Sequence, residues 1–88
     1  MKIARYSKSD LWAEGLTEDG FWFQAKVYNT GSQFGINKGR VSKLSVCQGT
    51  RWNPETQVYN YDRGLDFDRA PKGLVDRIIQ ACENLPPI

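Results

Sequence analysis

The chain is predicted to adopt an α+β fold: an antiparallel sheet of three to four strands with one C-terminal amphipathic helix packed on one face. Three observations carry this. The segment "FWFQAKVY" alternates with period two, Phe21, Phe23, Ala25 and Val27 to one side and Trp22, Gln24, Lys26 and Tyr28 to the other. From Pro71 to Leu85 the apolar period lengthens to about 3.6, with Leu74, Val75, Ile78, Ile79, Cys82 and Leu85 opposed by Asp76, Arg77, Gln80 and Glu83. Turn residues punctuate the stretch between them.

At 88 residues the chain supports a single domain, 1–88. Residues 1–9 read as an N-terminal segment, 10–68 as the sheet and 71–85 as the helix. "DLWAEGL", the turn sequence "TEDG" and "FWFQAKVY" make a β-hairpin over 10–28. "GRVSKLSVC" (39–47) is the next strand, with Ser42, Leu44 and Val46 on one side; its alternation is imperfect, and a bulge would move the register. The polar loop "QGTRWNPET" follows, turned by Asn53 and Pro54. In "VYNYDRGLDFD" an unbroken strand would show an acidic stripe of Asp62, Asp66 and Asp68, whereas a bulge at Gly64 would flip its second half. Pro71 suits a first helical position, and Pro86 with Pro87 stops the helix.

Composition excludes several chemistries. With no histidine, His-based triads, His metal ligands and the usual general base near neutral pH are absent. Cys47 and Cys82 lie in different elements without secretory context, which favours two buried reduced thiols over a disulfide, and two thiols do not complete a zinc site. No apolar run approaches the roughly 18 residues of a membrane-spanning helix, and "MKIARYSKSD" lacks a signal-peptide core, so the expected compartment is the cytoplasm and no membrane partner is expected. The net charge of +2 hides an uneven distribution: residues 20–54 carry five cations (Lys26, Lys38, Arg40, Lys43 and Arg51) and no acid.

One helix covers one face of a sheet. The face bearing Phe21, Phe23, Leu44 and Val46 is its natural partner, which leaves Trp22, Gln24, Lys26, Tyr28, Lys43 and Asp62 for the other. Aromatic side chains among cations on an uncovered face point to binding. The alternative is that Trp22 joins Trp12 or Trp52 in a second small cluster.

In "GSQFGINKGRVSKL" the glycines at 31, 35 and 39 fail the phosphate-loop pattern, because Arg40 and a strand follow where Lys, Ser or Thr and a helix are required; they read as turn residues. Lys38, Arg40, Lys43, Arg51 and Trp52 could hold phosphates and stack a base, although the aromatic strand signature of RNA-recognition sheets is absent. Asp62, Asp66 and Asp68 at alternating strand positions form a line rather than a metal cage, so pairing with neighbouring cations is their expected use.

"GSQFGINKGRVSKLSV" followed by "YDRGLDFD" resembles a family of small phage and prophage proteins classed as a domain of unknown function, whose members share an "FxAKVY" strand, a GSxxGIxxGRVSKL segment and a YDRGxD segment. The likeness covers roughly Trp12 to Asp66; Leu65 stands where a tryptophan is expected, and the "CQGTRWNPETQ" loop is longer. The family brings no activity, cofactor or site residue. The resemblance implies a setting, in the cytoplasm of a bacterial host, where such proteins bind a host enzyme or defence complex stoichiometrically.

The expected function is therefore that of a non-enzymatic, phage-type binding protein, without metal or cofactor, that engages a host protein or protein–nucleic-acid complex and inhibits a defence or nucleic-acid-processing machine. Its expected contact residues are Trp22, Lys26, Tyr28, Lys38, Arg40, Lys43, Arg51 and Trp52. The alternative is direct DNA or RNA binding, with a slope in log[salt] of at most about −4.5 if all five central cations neutralise phosphates. A third is a homodimer through the same face.

Overall fold

Period-two alternation in residues 21–27 drives the centre of the fold. In the computed structural model, which describes residues 1–88, these residues form β3 (Phe21–Val27), flanked by β2 (Trp12–Leu16) and β4 (Val41–Gln48). Outside them lie β1 (Lys2–Tyr6), β5 (Gln57–Asp62) and β6 (Leu65–Asp68). All neighbours are antiparallel in the order β1-β2-β3-β4-β5-β6, an up-and-down meander followed by α1 (Leu74–Glu83). The class is α+β, but the sheet has six strands, correcting the expected three to four.

Both additional strands are hidden in the sequence by local irregularity. In β1 the inward Ile3 and Tyr6 are three residues apart because a bulge between Ile3 and Arg5 breaks the alternation against β2. "VYNYDRGLDFD" is neither one unbroken strand nor one strand bulged at Gly64 but a hairpin, with its irregularities at Val58 and Asp66 instead. Arg63 takes a left-handed conformation (φ 57°), its N–H donates to the Ser42 carbonyl (2.8 Å), and the chain reverses so that Leu65 pairs with Tyr61.

The core lies between one face of the sheet and the helix. Phe21, Phe23, Ala25 and Val27 from β3, Val41, Leu44 and Val46 from β4, with Ala13 and Tyr59, meet Leu74, Ile78 and Cys82 of α1, all buried. At roughly 25 cal/mol per Å² of apolar surface, this packing is the main stabilising term. Val41 faces inward together with Leu44 because a bulge in β4 sets Lys43 against Lys26 but Val41 against Val27, leaving Ser42 as the extra residue. Gly15 is required by close approach, since a Cβ there would strike the Phe23 ring.

The helix begins three residues later than Pro71. Gly73, left-handed at φ 84°, occupies the N-cap, and Pro71 stands in the preceding turn, where its carbonyl accepts from Leu74 N–H (3.1 Å). Asn84 ends it ahead of the two prolines. No helix is long and apolar enough to cross a membrane.

Candidate functional site

Because cross-strand partners share a face, the registers place three rows of side chains on the side away from α1. Leu16, Trp22, Cys47 and Gln57 form the first, Arg5, Glu14, Gln24, Ser45, Asn60 and Phe67 the second, and Trp12, Lys26, Lys43 and Asp62 the third. No helix and no second sheet covers them, although Trp52 of the β4–β5 loop packs over the first row at Trp22.

Trp22 is on this face, as its parity requires, but it is buried at 5% exposure and does not present its ring to a partner. Its indole Nε1 donates to Glu14 Oε2 (2.8 Å), and Trp52 from the β4–β5 loop packs against it edge-on, centroids 6.3 Å apart at 63°. Cys47, opposite Trp22, is buried as well. Trp52 remains 51% exposed, and Arg51 beside it is exposed. The second small cluster weighed from the sequence is thus Trp22 with Trp52.

Lys26 and Lys43 stand directly opposite one another, an arrangement that like-charge repulsion disfavours. Each is turned toward its own partner. The Lys26 ammonium lies 5.3 Å from the Trp12 ring centroid and 5.9 Å from that of Tyr28, which is 41% exposed. Lys43 pairs with Asp62 across β4 and β5 (3.7 Å), and Arg5 pairs with Glu14 (3.4 Å).

Arg40 is corrected from partner contact to internal clamp. Its guanidinium donates to the carbonyls of Tyr28 (2.7 Å), Glu83 (2.9 Å) and Leu85, while its backbone N–H donates to Glu83 Oε2 (2.7 Å). It ties the start of β4 to the C-terminal end of α1, where unpaired carbonyls and the helix dipole favour a cation. Lys38 is exposed, but it sits in the 28–40 loop at φ 60° rather than on a strand of the face. That loop is the corner expected from its glycines, for a reason of space: a Cβ at Gly35 would fall on the Gly39 carbonyl, and one at Gly39 on the Glu83 carboxylate.

Of the expected contact residues, the structure therefore gathers Lys26, Tyr28 and Lys43 at one end of the face and Arg51 and Trp52 at the other. Trp12 and Glu14 were missed as members, although the alternation of "DLWAEGL" carried the signal. The three aspartates are separately engaged: Asp62 with Lys43, Asp66 accepting from Asn60 Nδ2 (2.6 Å), and Asp68 accepting from Ala70 N–H (3.0 Å). Both cysteines are free and buried, and burial pushes the Cys82 thiol up to about 12, far from nucleophilic at neutral pH.

No curated protein and no solved structure matches the chain. A family pattern does match, over residues 11–83, a span that runs from the first residue before β2 to the last of α1 and so contains five of the six strands and the helix. The chain belongs to that family, described as a domain of unknown function (DUF7678).

Proposed function

We propose that the protein is a non-enzymatic binding domain whose helix-free sheet face engages a macromolecular partner through Trp12, Lys26, Tyr28 and Lys43, with Trp52 at the far end. The observation that supports this is the Trp12–Lys26–Tyr28 group, an ammonium 5.3 and 5.9 Å from two aromatic ring centroids on the face that no helix or second sheet covers. Aromatic anchors of this kind dominate binding energy at protein interfaces. The charge pairing favours a protein partner over nucleic acid: Arg5 and Lys43 already have carboxylates, and phosphate binding would have to displace them. The resemblance to small phage and prophage proteins supports the setting, a host enzyme or defence complex inhibited by occupancy.

The test is affinity capture from a bacterial lysate with and without nuclease treatment, using the wild-type chain and a Lys26→Ala, Tyr28→Ala double variant. The expected result is a stoichiometric, nuclease-resistant partner retained by wild type and lost by the variant, with unchanged thermal unfolding. Equal retention by both proteins contradicts the proposal, and loss of all retained material on nuclease treatment assigns the surface to nucleic acid instead.

A further inference from the structure

On the helix side of the sheet, opposite the proposed binding face, a cavity of about 300 Å³ opens between the β5–β6 hairpin, the 28–40 loop and the first turns of α1. It shares no residue with the sheet-face reading. Its walls are apolar, from Ile36, Leu65, Val75 and Ile79, while its charged lining is mostly acidic. Tyr59 and Asp68 are direct cross-strand partners and so face the same way, and Asp76 approaches them from the first turn of the helix.

Neither carboxylate is neutralised. Asp68 accepts from the Ala70 N–H through one oxygen only (3.0 Å), and no cation stands within ion-pair distance of Asp68 or Asp76. Lys72, the one cation on the lining, is exposed and pairs with neither. The second, independent observation is Tyr59. It is only 4% exposed, yet its hydroxyl hydrogen-bonds to no protein atom and is not sealed off, so it opens on the cavity. A phenol sunk this far normally has a partner. Burial, and after it the charges of Asp68, Tyr61 and Asp76, push the group up to about 12, so it stays a neutral hydroxyl with both carboxylates around it.

We infer that this cavity binds a primary alkylammonium, its charged head held by Asp68, Asp76 and the Tyr59 oxygen and its carbon chain laid along Ile36, Leu65, Val75 and Ile79. An ammonium carries three N–H donors and no acceptor, and the site presents three acceptors, two of them charged. A planar guanidinium, which seeks two parallel bonds to one carboxylate, matches this set less well. At roughly 30 Å³ per water in the liquid, the space is several times what the head alone needs. The apolar walls therefore select a carbon chain over a bare cation.

The test is a proton–nitrogen NMR titration of the full chain at neutral pH with n-pentylammonium, its neutral counterpart n-pentanol, ammonium chloride, and Nα-acetyl-lysine methylamide as the stand-in for a lysine side chain. Pentylammonium is expected to bind saturably with a Kd of roughly millimolar, as suits a ligand of few heavy atoms, and to shift the amides of Leu65, Asp68 and Asp76. Pentanol and ammonium chloride are each expected to bind more than about tenfold more weakly, and Asp68→Asn and Asp76→Asn each to cost about tenfold. Asp68→Asn keeps an acceptor for the Ala70 N–H, so its fold is expected to hold. Absence of saturable pentylammonium binding, equal binding of pentanol or of ammonium chloride, or an Asn variant of either aspartate that binds like wild type overturns the inference. Tyr59→Phe gives an independent reading. With no internal partner lost, the variant is expected to melt at the same temperature as wild type or higher, while pentylammonium affinity falls several-fold. A lowered melting temperature, or unchanged affinity, overturns the role assigned to Tyr59. Tighter binding of the blocked lysine than of pentylammonium supports the site with a lysine side chain as its source, and weaker binding supports it with a free amine. Loss of amine binding leaves the sheet-face proposal standing, because that proposal is read by partner capture.

Discussion

Residue identity alone gives Trp22 and Arg40 the look of contact residues, one aromatic on an outward parity and the other a cation in a basic stretch; their surroundings give both a structural task. Trp22→Ala would remove the indole that Trp52 and Glu14 hold and is expected to destabilise by about 3–5 kcal/mol. Arg40→Ala would free three carbonyls and is expected to cost about 2–3 kcal/mol. Urea unfolding midpoints check both, against Lys43→Ala as a surface control expected within about 0.5 kcal/mol. Two further residues make stability depend on alkaline pH. Burial raises Tyr59 from 10.0 to about 12 and Cys82 from 9.0 to about 12. The unfolded chain gives up these protons first, so it binds fewer than the native state between those values, and stability falls as pH rises from about 9 toward 12. A urea midpoint lower at pH 11 than at pH 8 is the expected result.

Among the elements, those with an undisturbed period were legible in the sequence. The β2–β3 hairpin, β4 and α1 follow from their alternation, from "TEDG" and from the 3.6-residue stripe. β1 and β6 were not legible, because a bulge in one and a left-handed arginine before Gly64 in the other put the irregularity where pattern reading expects continuity. The face itself could be read by parity, whereas the sealing of Trp22 by a residue thirty positions away, and the clamp from Arg40 to a helix end more than forty positions on, are tertiary facts without a local signature. Glycines illustrate the same limit. Gly35 looks like a turn residue but is required by contact, so Gly35→Ala is expected to lower the melting temperature as backbone is forced from backbone. Gly64 looks special in the sequence, yet it has no positive φ and open space around its Cα; Gly64→Ala is expected to be neutral or to stabilise by up to about 1 kcal/mol by restricting the unfolded chain.

For the molecule as a whole, a ten-residue helix over the middle of a six-stranded meander leaves the opposite face without a second helix or sheet, closed only at the end where Trp52 packs on Trp22. The outer strands carry charges, Lys2 and Arg5 on β1 and Asp66 and Asp68 on β6, which discourage edge-to-edge pairing and direct association to the face. The most direct measurement of this account is hydroxyl-radical footprinting of the chain alone and in the complex retrieved from lysate. Alone, Trp12, Tyr28 and Trp52 should be modified readily and Trp22 slowly; in the complex, Trp12 and Tyr28 should become protected while Leu65, on the β6 edge, stays reactive. Equal labelling of Trp12 and Tyr28 in the two states, or protection confined to Leu65, would contradict it.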